Sequence, residues 1–399
     1  MNEAISPSEV YDKDLNFLFG AGASSGLFPT LALGIQNGAD QPWSLEDLGA
    51  HFERTSDARR IPLFMHYYSA CINPAQVFKI DSVVGDGKRE QVVKNYRSFL
   101  ENVLQILQRR KALERRCNLF TTNYDGCFPL IADQILREGN IDFLLNDGAR
   151  GFSRRYLQAR NFNTFLCQTG IFERHQVSIP QINLVHLHGS VYWRKDQSSI
   201  LVDYLTGPSA TLLSPAALAT LAPFSARLGD STAKLADLPS PAFTQAELDA
   251  FWSEYKKLPI VNPTKWKFHE TVFEEHYYQM LRMLSYELEK PNAVLITFGF
   301  SFADEHILNL VKRSLSNPRL QVFVCCYSQA SRDRLKREFR EHRNVRCIAL
   351  EADPMDFTAF NERVFMLEEL LPTATAAPVA PAPAPAPPLA PASVAGAPA

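Results

Sequence analysis

The chain has 399 residues, of which 46% are hydrophobic and 21% charged, and its formal net charge is −2. This composition is typical of a soluble globular protein, and the length allows one large or two medium domains. Balanced charge argues against a surface dedicated to nucleic acid, so we expect no direct nucleic-acid binding. Because no apolar run reaches the roughly 20 residues that cross a bilayer and the N-terminus does not resemble a signal peptide, we expect a cytoplasmic protein without membrane contact.

The seven cysteines are scattered along the chain and form no CxxC pair. Most of them lie within apolar runs, which predicts buried free thiols in a reducing compartment. A structural zinc ribbon requires cysteines at such paired spacing, so we expect no zinc and no other metal site.

Six short apolar runs without polar alternation predict strands that are buried on both faces of a parallel sheet. They are LNFLF (15–19), CNLFTT (117–122), INLVHL (182–187), AVLITF (293–298), LQVFVCC (320–326) and VRCIAL (345–350). Helices are predicted between them over residues 91–116, 271–289 and 331–341. This alternation predicts an α/β fold with a Rossmann-like, doubly wound parallel sheet.

Two stretches interrupt the alternation of strands and helices. Residues 27–90 are mixed and predicted to be mainly helical, and residues 190–265, rich in Pro, Ser and Ala, are predicted to form an insertion. These stretches would supply a smaller helical lobe to one folded domain spanning residues 1–371. Residues 372–399 are almost wholly Pro and Ala and carry no charge, which predicts a disordered tail biased towards polyproline II.

A glycine-rich segment, GAGASSG (20–26), directly follows the first predicted strand. Glycines at this position let backbone N–H groups surround a diphosphate, and a helix starting there would add its dipole. Ser24 or Ser25 could cap that helix or bind phosphate. The GxGxxG pattern is incomplete, because Ser25 stands where the third glycine would be. A tight turn with a capped helix and no nucleotide is the alternative interpretation.

Two polar motifs end the next two predicted strands. TTNYD (121–125) offers a donor and an acceptor on Asn123 and a carboxylate on Asp125, which could hold an amide or a ribose hydroxyl. A simple strand-end turn is the alternative there. In HLHGS (186–190), we interpret His186 as a core residue and His188, nearer the rim, as a candidate base.

A fourth motif, GFSFADEH (299–306), follows the strand at 293–298. Ser301 is the candidate ligand-binding residue, and Asp304 is placed to cap the following helix. Parallel strands bring all four motifs to one edge of the sheet, which is the edge where open α/β sheets bind ligands.

In this order and spacing, GAGAS, TTNYD, LHGS and GFSFADEHI resemble the sirtuin-like NAD-consuming domains, and more closely the bacterial branch found in anti-phage defence systems. The resemblance covers roughly residues 12–350 and is poor in the middle insertion. It implies that NAD is bound as a substrate between the sheet and the smaller lobe. It makes Asn123 and His188 catalytic. It assigns binding of NAD to Gly20, Ala21, Gly22, Ala23, Ser24, Thr122, Tyr124, Asp125, Gly299 and Ser301.

The implied activity is that of an NAD glycohydrolase, which cleaves NAD to nicotinamide and ADP-ribose and would deplete NAD during anti-phage defence by abortive infection. The chain has no GxxxxGK[ST] motif and no recognisable sensor domain. We therefore expect gating by homo-oligomerisation or by a partner such as a HerA-type ATPase.

Three alternatives remain open for the function. An NAD-dependent protein deacylase is the first, although the zinc-ribbon cysteines and an acyl-lysine channel motif are missing. A non-catalytic sensor of NAD or ADP-ribose, or a scaffold, is the second. A dinucleotide-dependent oxidoreductase is the third, but no acidic residue stands at a strand end about 20 residues after the glycines.

Overall fold

A computed structural model describes residues 4–6, 9–38, 40–111, 114–169, 176–205, 211–261 and 271–366. The strands are β1 Asp14–Phe19, β2 Ala32–Gln36, β3 Pro42–Ser44, β4 Arg116–Thr121, β5 Leu144–Asn146, β6 Ala149–Arg150, β7 Tyr156–Leu157, β8 Cys167–Thr169, β9 Gln176–Ser178, β10 Gln181–His186, β11 Trp193–Asp196, β12 Ser199–Val202, β13 Ala293–Phe298, β14 Gln321–Cys325 and β15 Val345–Ile348. The α-helices are α1 Leu45–Arg54, α2 Arg60–Tyr67, α3 Asn73–Gln76, α4 Gly87–Arg109, α5 Cys127–Glu138, α6 Pro215–Leu228, α7 Gln245–Tyr255, α8 Thr271–Glu289, α9 Glu305–Ser314, α10 Gln329–Glu338 and α11 Phe357–Ala359.

Seven parallel strands form the central sheet in the order β15-β14-β13-β1-β4-β10-β5. The predicted α/β class with a Rossmann-like parallel sheet is therefore confirmed. All six predicted strands are present, with ends within two residues of the prediction. The seventh strand, β5, was not predicted, because its three residues at the sheet edge are too few to form a distinct apolar run.

Helices cover both faces of the sheet. On one face, α4 and α5 pack with α11 against side chains such as Phe17 and Phe19. On the other face, α8, α9 and α10 pack against side chains such as Leu18 and Leu295. The predicted bounds of α8 are correct, whereas the helix predicted over 91–116 ends at Arg109. It ends there because Arg110 is extended and donates hydrogen bonds to the carbonyl oxygens of Val10 and Lys13.

A row of four asparagines crosses the interior of the sheet. Asn16, Asn118, Asn183 and Asn146 lie side by side on β1, β4, β10 and β5, and each is buried. Asn118 donates to Asn16 at 2.9 Å, Asn183 to Asn118 at 2.8 Å and Asn146 to Asn183 at 3.0 Å. A slip of one residue would break every one of these bonds, so the row specifies the register. Phe19, Thr121 and His186 consequently end their strands level with one another.

The two stretches outside the alternation share one hydrophobic core. Phe52, Phe64 and Tyr68 of the first pack with Phe224 and Tyr255 of the second. Part of the second stretch does not belong to this core, because β11 and β12 join β6 and β7 in a separate four-stranded antiparallel sheet. The shared core contains the β2–β3 hairpin and α1 to α3 from the first stretch and α6 and α7 from the second. We call this unit the lobe, and it lies beside the carboxyl ends of the central strands.

The Pro/Ala tail predicted at 372–399 lies outside the described residues. Within the described ranges, no helix has both the length and the apolar character required to cross a membrane.

Candidate functional site

The site lies where the strand order of the sheet reverses. From β1 the chain continues to β4 on one side, and from β13 it continues to β14 on the other. Crevices at such a switch point are the usual ligand sites of open α/β sheets. The loop after β1 contains one turn of 3₁₀-helix, Ala21–Ser24, and no α-helix begins there. The predicted helix start is therefore wrong, and the loop lacks the dipole of a long helix.

The loops after β1 and β13 pack directly against each other. The N–H of Gly20 donates to the carbonyl of Phe298 at 3.1 Å, and that of Gly22 to the carbonyl of Gly299 at 2.9 Å. A Cβ on Gly22 would lie 2.7 Å from the Cα of Gly299, and one on Gly299 would lie 2.4 Å from the nitrogen of Ala23. Gly299 also has φ +62°. These glycines are thus required by the contact between the loops. Four N–H groups of the segment 20–26, those of Gly20, Gly22, Ala23 and Ser25, are already bonded within the protein and do not point to a diphosphate.

A cavity of about 570 Å³ opens between these loops and the lobe. It is lined by ten of the twelve residues that the sequence singled out: Ala21, Gly22, Ser24, Thr122, Asn123, Tyr124, Asp125, His188, Gly299 and Ser301. The other two, Gly20 and Ala23, are buried behind the loop surface. The lobe contributes Glu46 and Asp47, among other residues, to the opposite wall. We call this space the first cavity.

The hydroxyl of Ser24 is the centre of a buried hydrogen-bond network. Its Oγ lies 2.7 Å from Oδ2 of Asp125, 3.2 Å from Nδ2 of Asn123 and 2.7 Å from Oη of Tyr96. A carboxylate only accepts, so Ser24 donates to Asp125 and accepts from the other two groups. Burial, with Asp125 nearby, raises the pKa of Tyr96 well above its usual value, which keeps this hydroxyl a donor.

This network determines how Asn123 presents its amide. Nδ2 is directed at Ser24, and no described residue donates to Oδ1, which is therefore an acceptor available to a ligand. The backbone is held as well, because the N–H of Asn123 donates to Thr121 Oγ1 at 3.0 Å and its carbonyl lies 3.1 Å from Nδ1 of His186. Burial lowers the pKa of His186 and keeps it neutral. The interpretation of His186 as a core residue is thus supported.

Thr122, Tyr124 and Asp125 line the first cavity but also make structural contacts. The N–H of Thr122 donates to the carbonyl of Phe19 at 3.0 Å. Asp125 accepts from the N–H of Cys127 at 3.0 Å as well as from Ser24, so both of its oxygens are engaged. Tyr124 Oη donates to the carbonyl of Val261 at 2.9 Å.

His188 lies at the cavity wall beside Asp304. Its Nε2 is 3.0 Å from Oδ2 of Asp304, and the two side chains are 11% and 7% exposed. The distance is that of an ion pair, although the direction does not satisfy a hydrogen bond. Asp304 was predicted only as a helix cap. It does cap α9, since Oδ1 accepts from the N–H groups of His306 and Ile307 at 2.9 and 3.2 Å. No spacing in the sequence indicates its proximity to His188.

A second cavity of about 720 Å³ lies on the other side of the paired loops. Gly22, Gly299 and Ser301 line both cavities. The second cavity adds two basic side chains, Lys88 and Arg334, and Arg334 donates to the carbonyl of Ser301 at 2.7 Å. Both volumes fall within the roughly 300–1,000 Å³ that is typical of small-molecule sites.

Comparison with protein-family models gives no match to this chain, and comparison with curated proteins gives none either. Among the described residues, no group of three or more His, Cys, Asp or Glu side chains is arranged to hold a metal ion. Fold and site together define an α/β protein with a cavity at the carboxyl edge of a Rossmann-like sheet.

Proposed function

We propose that this protein is an NAD glycohydrolase that converts NAD and water to nicotinamide, ADP-ribose and a proton. The observation that carries the proposal is the placement of Asn123 and His188 on the wall of one cavity, beside the paired glycine loops at the switch point of the sheet. The amide of Asn123 is oriented by its hydrogen bond to Ser24, and His188 supplies an imidazole on the wall of the same cavity.

The charges around the two cavities suit an extended dinucleotide. Lys88 and Arg334 in the second cavity would attract the phosphates at the adenosine side. The carboxylates of Glu46 and Asp47 in the first cavity would attract the cationic nicotinamide ring. The paired loops, which line both cavities, would then lie along the diphosphate, with Ser301 beside it.

The reaction does not require a strong general acid to protonate the leaving group, because the nicotinamide ring of NAD is cationic and leaves as a neutral molecule. Its departure leaves an oxocarbenium-like ribose, so the protein must orient the ribose, limit access of stray water and stabilise the developing charge. In our proposal Oδ1 of Asn123 accepts from a ribose hydroxyl or from the attacking water. His188 takes the proton that this hydroxyl or water releases.

An NAD-destroying enzyme must be restrained in a healthy cell, and the described residues include no separate sensor unit. We therefore propose that activity is gated in trans, by assembly of several copies or by a partner protein such as a HerA-type ATPase. A role in anti-phage defence is part of the same proposal, because it depends on the resemblance of the four motifs.

Chromatography of NAD incubated with the purified full-length chain tests the proposal. We expect nicotinamide and ADP-ribose from the wild type, and a loss of about 10²–10⁴-fold in His188→Ala, the range that a positioned general base contributes. Asn123→Ala should lose activity to a similar extent. His306→Ala, which removes an exposed histidine from α9, is the matched control and should retain full turnover.

Binding measurements separate the remaining outcomes. Turnover by His188→Ala within a few-fold of wild type would refute the catalytic assignment. Calorimetry with NAD and ADP-ribose that detects no binding would remove NAD as the ligand. Tight binding without turnover, also in cell extract, would favour a sensor, and release of O-acetyl-ADP-ribose from an acetylated peptide would favour a deacylase.

A further inference from the structure

The two carboxylate oxygens of Asp304 contact different groups. Oδ1 accepts from the N–H groups of His306 and Ile307 at the start of α9. Oδ2 lies 3.0 Å from Nε2 of His188, and both side chains are nearly buried. We propose that Asp304 is a positioning residue that sets the tautomer of His188 and makes Nδ1 the basic nitrogen. The catalytic consequence rests on the proposed NAD hydrolysis, whereas the tautomer itself does not.

The assignment of the tautomer follows from the chemistry of the two groups. An ionised carboxylate has no hydrogen to donate, so the nitrogen that faces it must carry one. Neutral imidazole carries a single N–H, and placing it on Nε2 leaves the lone pair on Nδ1. No described residue hydrogen-bonds to Nδ1 of His188, and the residue lines the first cavity. Nδ1 is therefore the nitrogen that can accept a proton from a ligand.

Both partners of this contact are held in place by the backbone around them. The carbonyl of His188 accepts from the N–H of Val261 at 2.8 Å. Asp304 cannot rotate its carboxylate without losing the cap of α9, because Oδ1 is occupied by two N–H groups.

The helix cap makes Asp304→Asn an informative substitution. Asparagine is a favoured N-cap residue, so the variant should fold and keep α9. The cap requires an acceptor, which directs the amide oxygen to the helix and the NH₂ group to His188. Nε2 of His188 must then accept, and the single hydrogen moves to Nδ1. The substitution therefore inverts the tautomer while it preserves the size of the side chain.

The first measurement is the tautomer of His188 by long-range ¹H–¹⁵N NMR at pH 8, on full-length protein labelled with ¹⁵N-histidine. The signals of His188 are assigned by their loss in His188→Gln. We expect the Nε2–H form in the wild type and the Nδ1–H form in Asp304→Asn. Asp86→Asn, which makes the same change at the N-cap of α4 and at a residue that lines neither cavity, is the control and should keep the Nε2–H form.

The second measurement is the steady-state rate of NAD cleavage. Asp304→Asn should lower kcat by about 10-fold or more, and by no more than the roughly 10²–10⁴-fold contribution of a general base, with KM for NAD changed less than threefold. Asp86→Asn should keep kcat within threefold of the wild type. An Nδ1–H tautomer in the wild type, or an unchanged tautomer and kcat in Asp304→Asn, overturns the inference. Absence of turnover in all proteins, in cell extract as well as with the purified chain alone, would reject the proposed function, while the NMR result would still decide the tautomer.

Discussion

Replacement of Asn118 tests whether the asparagine row stabilises the sheet. The side chain is 3% exposed and takes part in two hydrogen bonds of the row, one with Asn16 and one with Asn183. Its removal leaves Oδ1 of Asn16 without this donor and leaves Nδ2 of Asn183 with a longer contact of 3.3 Å to the carbonyl of Phe162. Each stranded buried group costs about 1–3 kcal/mol. We expect Asn118→Ala to lower the free energy of unfolding by about 2–6 kcal/mol, a large part of the roughly 5–15 kcal/mol of a typical domain.

Asn118→Leu distinguishes lost hydrogen bonds from a cavity. Leucine fills the space but removes the same two hydrogen bonds, so most of the loss should persist. The assay is equilibrium urea unfolding followed by circular dichroism. In Asn16→Leu/Asn118→Leu both partners of one bond become apolar, and the double variant should lose less than the sum of the single losses, by about 1–3 kcal/mol. Unfolding of Asn118→Leu within about 0.5 kcal/mol of the wild type, the usual range for an uncoupled surface change, would refute the reasoning.

Three further predictions concern the loops and the histidine behind the site. Gly299→Ala should destabilise the protein by at least about 1–3 kcal/mol, because the new Cβ meets the nitrogen of Ala23 and the backbone has a positive φ; thermal unfolding checks this, and an unchanged Tm contradicts it. Ser24→Ala should cost about 1–3 kcal/mol by removing the centre of its network and should reduce NAD turnover more than Tyr96→Phe, which keeps the bonds from Ser24 to Asp125 and Asn123. The lowered pKa of His186 means that the unfolded chain takes up the proton first, so stability is complete above pH 6.5 and falls below it, by at most about 1.4 kcal/mol per pH unit. His186→Gln should flatten this fall between pH 7.5 and 5.5 in urea titrations, and an equal fall in both proteins would contradict the assignment.

The sheet and the edge that forms the cavity were predictable, because strands buried on both faces appear in the sequence as continuous apolar runs. Each of the six runs is apolar on both faces, and polar motifs follow the strands whose ends form the cavity. The register of the strands is also indicated in the sequence, by the position of one asparagine in each of three runs. Asn16, Asn118 and Asn183 occupy the same place in LNFLF, CNLFTT and INLVHL, three residues before the end of each strand.

The parts that were missed depend on contacts between distant segments. The glycine loop was expected to start a helix, but the N–H groups of Gly20 and Gly22 donate to the carbonyls of Phe298 and Gly299 at the end of β13. His188 and Asp304 meet although β10 and β13 are separated in the sheet by β4 and β1. Such a contact depends on the course of the loops beyond the strand ends, which cannot be predicted from composition or periodicity.

Val261 connects the lobe by hydrogen bonds to two segments of the cavity wall. Its carbonyl accepts from Tyr124 Oη at 2.9 Å, and its N–H donates to the carbonyl of His188 at 2.8 Å. One residue at the end of the lobe is therefore tied to the segments that follow two different sheet strands. A protein that binds the lobe and moves it would therefore displace both of these segments together. Replacing the lobe with a short linker would therefore remove a hydrogen-bond partner from His188 and from Tyr124 at the same time.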